Sequence, residues 1–172
     1  VAYVDLSTVQ VIATGQPFLA ATLQQIRDNE EFFADPPACS VYNNAAVSLA
    51  SSVSLQTLNA NSENFDNDSM HSTVTNTSRI TIQTAGRYLI FGSVVFDANT
   101  SGRRALAFRV NGTDVYDVGG AHPVQTANSM AMSGVRALVL AAGDYVETQV
   151  VQSSGGNLGV TLTEFAAFWM TR

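Results

Sequence analysis

From Cys39 onward, apolar and polar residues alternate with a period of two, and turn-forming residues interrupt the alternation at short intervals. Cys39 to Tyr42 predicts a first short strand, broken by Asn43-Asn44. Val47 and Leu49, then Val53 and Leu55, alternate with serines on either side of Ser51-Ser52, the pattern of a hairpin. Asn59 to Ser69 reads as a polar loop with one aromatic anchor, Phe65. Arg79 to Gln83 alternates, and Ala85-Gly86 turns the chain into Tyr88 to Phe96. Leu106, Phe108 and Val110 lead into Asn111-Gly112, the strongest short hairpin signal in the chain, and Val115 to Val118 returns. Ala121 to Ser129 reads as a long excursion. Val135 to Leu140, the turn Ala142-Gly143-Asp144, Val146 to Val150, the turn Ser153 to Gly156, and Val160 to Met170 complete the pattern. Roughly ten strands with frequent turns predict an all-β fold, an antiparallel sandwich of jelly-roll type.

Tyr88 to Phe96 departs from simple alternation. Tyr88, Ile90, Val94 and Phe96 share one face, and Leu89, Phe91 and Val95 share the other. A strand that is apolar on both faces has to be covered on both. No helix follows it, so the second cover is expected to be another subunit.

Before Asp35-Pro36-Pro37 the period changes. Pro17 suits a first helical turn, and Leu19, Leu23, Ile26 and Phe33 then make one apolar stripe, with Glu30 falling on it. Asp28, Glu30, Glu31 and Asp35 crowd the C-terminal half, where the helix dipole disfavours them. A helix of this kind needs a partner surface, and the two prolines stop it. Val4 to Ile12 reads as an extended arm. The expected organisation is an N-terminal docking arm and helix over 1–37, with Leu19, Leu23, Ile26 and Phe33 as its docking residues, and a head over 38–172.

Composition narrows the functional classes. Charged residues make up 13% of the chain, against about a quarter in an ordinary globular protein. Ser, Thr, Asn and Gln fill the deficit, as in a strand-and-turn protein partly covered in an assembly. The net charge is −6 and all eight basic residues are arginines. Only Arg103-Arg104 are adjacent, so a nucleic-acid surface is not expected. Arg103-Arg104 is expected to pair with acids or with a neighbouring subunit. One cysteine excludes an intrachain disulfide, and no apolar run approaches the ~20 residues that span a bilayer. The first residues lack a secretion pattern, so the expectation is a chain made in the cytoplasm and not inserted in a membrane.

Candidate chemistry is sparse. Glu63, Asp66, Asp68 and His71 form the densest set of potential ligands. Asp66 and Asp68 are the candidate metal residues, and Ca²⁺ would be the ion for an oxygen-rich loop. The competing reading is a turn in which Asn and Asp cap the backbone. Otherwise no cofactor is expected. Cys39, His71 and His122 offer no spacing for nucleophilic catalysis, no Gly-x-Ser-x-Gly elbow is present, and the expected function is non-enzymatic.

Thr84-Ala85-Gly86-Arg87-Tyr88-Leu89-Ile90-Phe91 resembles the run that opens a central strand in complement component 1q globular heads. Phe65, Ala142-Gly143-Asp144-Tyr145-Val146 and Phe165-Ala166-Ala167-Phe168 are similar to further family motifs in the same order. The resemblance implies a ten-strand jelly roll of the complement component 1q and tumour-necrosis-factor type, assembled as a homotrimer. It places the trimer interface at Tyr88, Leu89, Phe91 and Val95. The whole arrangement also resembles tailed-bacteriophage proteins. The matching parts are Gln25-Ile26-Arg27-Asp28-Asn29 through Phe32-Phe33, then Pro36-Pro37, the loop Asn64 to Ser72, and Asn76 to Arg79. That implies a virion structural protein, a capsid decoration or a tail-fibre adhesin. Its partners would be other virion proteins and a host-surface glycan or protein, met through loops such as Asp97–Arg103 and Ala121–Ser129. A non-viral lectin-like module is the alternative.

Overall fold

The structure, a computed structural model, describes residues 20–123 and 128–172. The expected arm Val4–Ile12 and Leu19 lie outside the described residues. The chain divides into two compact units, Val1–Pro36 and Pro37–Arg172.

In the first unit, helix α1 spans Ala20–Ala34, ending just before the prolines. Its polar side chains pair along the axis: Gln24 Nε2 donates to Asp28 Oδ1, Arg27 Nη2 donates to Gln24 Oε1, and Arg27 lies 3.6 Å from Glu31. The buried residues are Thr22, Asn29 and Phe32, whereas Leu23 and Phe33 of the expected docking stripe are 53% and 59% exposed and Ile26 is intermediate. A stripe through Leu23, Ile26 and Phe33 would also bury Glu30. The observed set leaves Glu30 and Glu31 exposed.

The second unit is a sandwich of two antiparallel sheets. Its strands are β1 (Ala38–Tyr42), β2 (Val47–Leu49), β3 (Ser52–Thr57), β4 (Ser62–Asp66), β5 (Arg79–Thr81), β6 (Gly86–Phe96), β7 (Arg103–Val110), β8 (Asp114–Pro123), β9 (Met130–Leu140), β10 (Tyr145–Gln152) and β11 (Leu158–Thr171). The first sheet runs β4-β1-β11-β6-β9, with β2 also on β11. The second runs β3-β10-β7-β8, with β5 also on β10. Among the described residues, β7 and β8 are the only consecutive strands that pair. Their turn is the predicted one, with φ of 52° at Asn111 and 71° at Gly112.

Three expectations change. Val47–Leu49 and Val53–Leu55 do not form a hairpin, because β2 pairs with β11 and β3 with β10, so the link between them crosses from one sheet to the other. The expected loop Asn59–Ser69 contains β4, which pairs with β1. With Phe65 as its only large apolar residue, β4 carries almost no alternation to be read. Ala121–Pro123 belongs to β8, so this part of the expected excursion is strand; 124–127 lie outside the described residues.

The core lies between the sheets. Tyr88, Ile90, Val94 and Phe96 from β6 meet Leu106, Phe108, Val146 and Val150 from the second sheet, all fully buried. Phe108 crosses to Phe165 on β11, with ring centroids 6.2 Å apart and nearly parallel. It approaches the first sheet at Gly92, the register partner of Phe165, where an added Cβ would sit 2.7 Å from Phe108 Cε1. Gly86 is equally constrained, since a Cβ there would meet the Trp169 indole and lie 2.7 Å from the Thr171 carbonyl.

Gly86→Ala should therefore destabilise the head by about 1–3 kcal/mol through overpacking. A denaturant titration followed by the fluorescence of Trp169, the sole tryptophan, checks this; an unchanged midpoint would contradict the packing described.

Candidate assembly surface and loop cluster

The outward face of the first sheet follows from the pleat of β6. Alternate residues Leu89, Phe91 and Val95 point away from the core and are partly exposed. Register extends them sideways: Phe91 lies between Ala166 on β11 and Val135 on β9, and Leu89 lies between Phe168 and Ala137. Val135 is 54% exposed, Val139 79% and Phe168 37%. Phe65 on β4 reaches the same face, its ring 6.1 Å from that of Phe168. A polar seam runs beside this apolar stretch, where Ser40 Oγ donates to Glu164 Oε1 (3.1 Å) and accepts from Asn64 Nδ2 (3.0 Å).

Tyr88 does not belong to this face. It is fully buried, and its hydroxyl donates to the Thr84 carbonyl at 2.6 Å. The period-two geometry that turns Leu89, Phe91 and Val95 outward turns Tyr88 inward. Of the four residues expected at an interface, three share the outward face.

The loop after β4 is organised by Asp66. Its Oδ1 accepts the N–H groups of Asp68 (3.3 Å) and Met70 (2.9 Å), and its Oδ2 accepts that of His71 (2.8 Å). Ser69, with φ of 54°, makes the tight bend. These bonds engage both oxygens of Asp66 with the backbone, as a capping side chain does. Asp68 is half-buried, and its Oδ2 is buried without a hydrogen-bond partner. Among the described residues no three His, Cys, Asp or Glu side chains converge as metal ligands would.

His71 and Cys39, the side chains with the most intrinsic reactivity, are held within the fold. The His71 side chain is wholly buried, with Nδ1 2.8 Å from Glu63 Oε1 and Nε2 3.2 Å from the Thr77 carbonyl. Cys39 is inaccessible; burial, then the charges of Asp66 and Glu63, push its pKa up, so the nucleophilic thiolate is disfavoured. Burial, then Asp68, likewise raises Tyr88. His122 lies on β8 in register with Arg104. No sequence signal set Arg104 apart from Arg103. Arg104 is buried and Arg103 exposed, and neither forms an ion pair among the described residues.

The fold is the jelly roll of complement 1q heads and tumour-necrosis-factor ligands. The chain is similar to the globular domain of zebrafish complement 1qA protein (20% identity, TM-score 0.59, 79% of this chain and 98% of that one). It is similar to murine APRIL (8% identity, TM-score 0.59, 78% and 98%) and to Eiger TNF from S. frugiperda (14% identity, TM-score 0.53, 78% and 94%). No family model matches the chain, and no curated protein sequence matches it. At these identities the likeness defines the fold.

Two outcomes follow from the loop. Asp66→Ala should destabilise the head by about 1–3 kcal/mol by leaving backbone donors unpaired, while a chelator should leave the melting temperature unchanged; a drop with chelator would restore the metal reading. Alkaline pH should also destabilise the head. A group whose pKa is raised by folding supplies stability below its unfolded value and loses it as pH rises. The loss starts near 9.0 for Cys39 and 10.0 for Tyr88, each adding about 1.4 kcal/mol per pH unit. The chain has no lysine to titrate in this range, so Cys39→Ala should flatten the pH 9–10 slope in denaturant titrations.

Proposed function

We propose that the head is a non-enzymatic binding module that works as a homotrimer, with the outward face of the first sheet against its neighbours. The observation that carries this reading is the exposed apolar stretch of Leu89, Phe91, Val95, Val135, Val139 and Phe168 on a central sheet. Contiguous exposed apolar surface of this kind marks an interaction site. A closed symmetric assembly is the usual way a soluble chain covers such a surface.

The setting we propose is the surface of a tailed-bacteriophage virion, as capsid decoration or tail adhesin, with residues 1–37 docking the head to other virion proteins. Loops at one end of the sandwich would meet a host-surface glycan or protein. What supports the virion setting is the resemblance of Gln25–Asn29, Phe32-Phe33 and Pro36-Pro37, and of the loop from Asn64, to such proteins. The likeness to complement 1q heads supports the alternative of a lectin-like module outside a virus.

Light scattering on Phe91→Asp and Val95→Asp should give folded monomers where the unmodified chain gives a trimer. A trimer retained by both variants would exclude this face. An antibody to the head should label intact particles; absence of the protein from purified virions would leave the lectin-like reading.

A further inference from the structure

Arg104, on β7, has a side chain with no exposure to solvent. Its Nη1 donates to the Ser101 carbonyl (3.1 Å) and the Arg103 carbonyl (3.0 Å). Its Nε and Nη2 are buried and have no hydrogen-bond partner. These two nitrogens lie in the guanidinium plane and form its side-on edge, the fork that matches the two oxygens of a carboxylate. Leaving two donors of a buried cation without an acceptor costs free energy that a carboxylate there would offset.

Among the described residues no side chain supplies the acceptor. Gln152, the neighbour on β10, has both ends engaged: Nε2 donates to Leu49 and Gly156 carbonyls, and Oε1 accepts from Ser154 N and Oγ. The Asp97 carboxylate lies against Gly159, where an added Cβ would sit 2.8 Å from Asp97 Cγ. The Phe96 ring stands 5.8 Å from the guanidinium carbon, a partial substitute for a counter-ion. Burial lowers the arginine's pKa from its ordinary value. Arg79, on β5, is held differently: it has both Glu147 at 3.3 Å and the Tyr145 ring at 3.9 Å.

Ser101, whose carbonyl holds Nη1, sits in an exposed turn with Gly102 (φ 75°) between β6 and β7. That turn belongs to Asp97–Arg103, one of the loops expected to meet a ligand.

We propose that the Nε/Nη2 edge of Arg104 is an oxyanion-binding site that receives a carboxylate under the Asn99–Gly102 turn. It deepens the binding-module reading and rests on it by naming the ligand class, an acidic group. The carboxylate could be that of an acidic sugar or of an Asp or Glu from a second copy of the chain.

The test uses the full chain, with the Arg104 Nε–H resonance in ¹H–¹⁵N spectra as readout and glucuronate, acetate and neutral glucose as probes. Expected are a saturable shift with glucuronate and acetate at millimolar concentration, and none with glucose. If a second copy supplies the acid, the resonance is already in its bound position without additive, and moves when the assembly dissociates on dilution. Either pattern supports the site. A resonance indifferent to both acids and to dilution overturns it.

Arg104→Met keeps the length of the side chain and removes the charge. Its melting temperature should equal or exceed that of the unmodified chain, and its affinity for glucuronate should fall at least about tenfold. A lower melting temperature together with unchanged affinity would reduce Arg104 to a structural tie for the turn. Light scattering on the same samples separates the two proposals. Acid binding by a monomer would remove the trimer and keep this site, and a trimer blind to acid and to dilution would do the reverse.

Discussion

The head depends on β6 being apolar on both faces. One face closes the sandwich: Tyr88, Ile90, Val94 and Phe96 meet the second sheet, and Gly92 lets Phe108 come against the backbone. The other face leaves Leu89, Phe91 and Val95 in a plane that β9 and β11 widen with Val135, Val139 and Phe168. Because successive side chains in a strand point opposite ways, neither face can be improved without altering the neighbours that set the other. The strand that builds the core therefore also builds the surface suited to assembly.

Polar groups within the head are used to hold backbone. Asp66 ties three N–H groups of one turn, and Gln152 bridges the β2 end and the β10–β11 turn, while Glu147 accepts from the side chains of Ser78 and Arg79. In a chain with few charges, these side chains do the work that helix caps and surface ion pairs do elsewhere. Arg104 departs from this pattern, a fully buried charge whose Nε/Nη2 edge has no acceptor among the described residues.

Much of this was legible in advance, though unevenly. Asn111-Gly112 announced its hairpin because both positions require positive φ, a demand few residue pairs meet. The two faces of Tyr88–Phe96 were visible from alternation, and the structure separates Tyr88 from the outward set by that same alternation. β4 was hidden because Ser62, Glu63 and Asn64 carry no apolar signal, and its pairing with β1 comes from contacts distant in sequence. On α1 the buried residues Thr22 and Asn29 are polar and leave no apolar signal along the chain.

By itself the sequence determined the local facts: where strands and the helix lie, where turns fall, and which side chains share a face. Periodicity and turn chemistry act over a few residues and can be read along the chain. Only the tertiary structure decided which sheet each strand joins, as when the short link from Val47–Leu49 to Val53–Leu55 crosses between sheets instead of folding back. It also decided that Arg104 is buried with its Nε and Nη2 unpaired while Arg103, one residue earlier, is exposed. Both are matters of which distant groups come together, and strand pairing between residues a hundred positions apart leaves no periodic trace in the sequence.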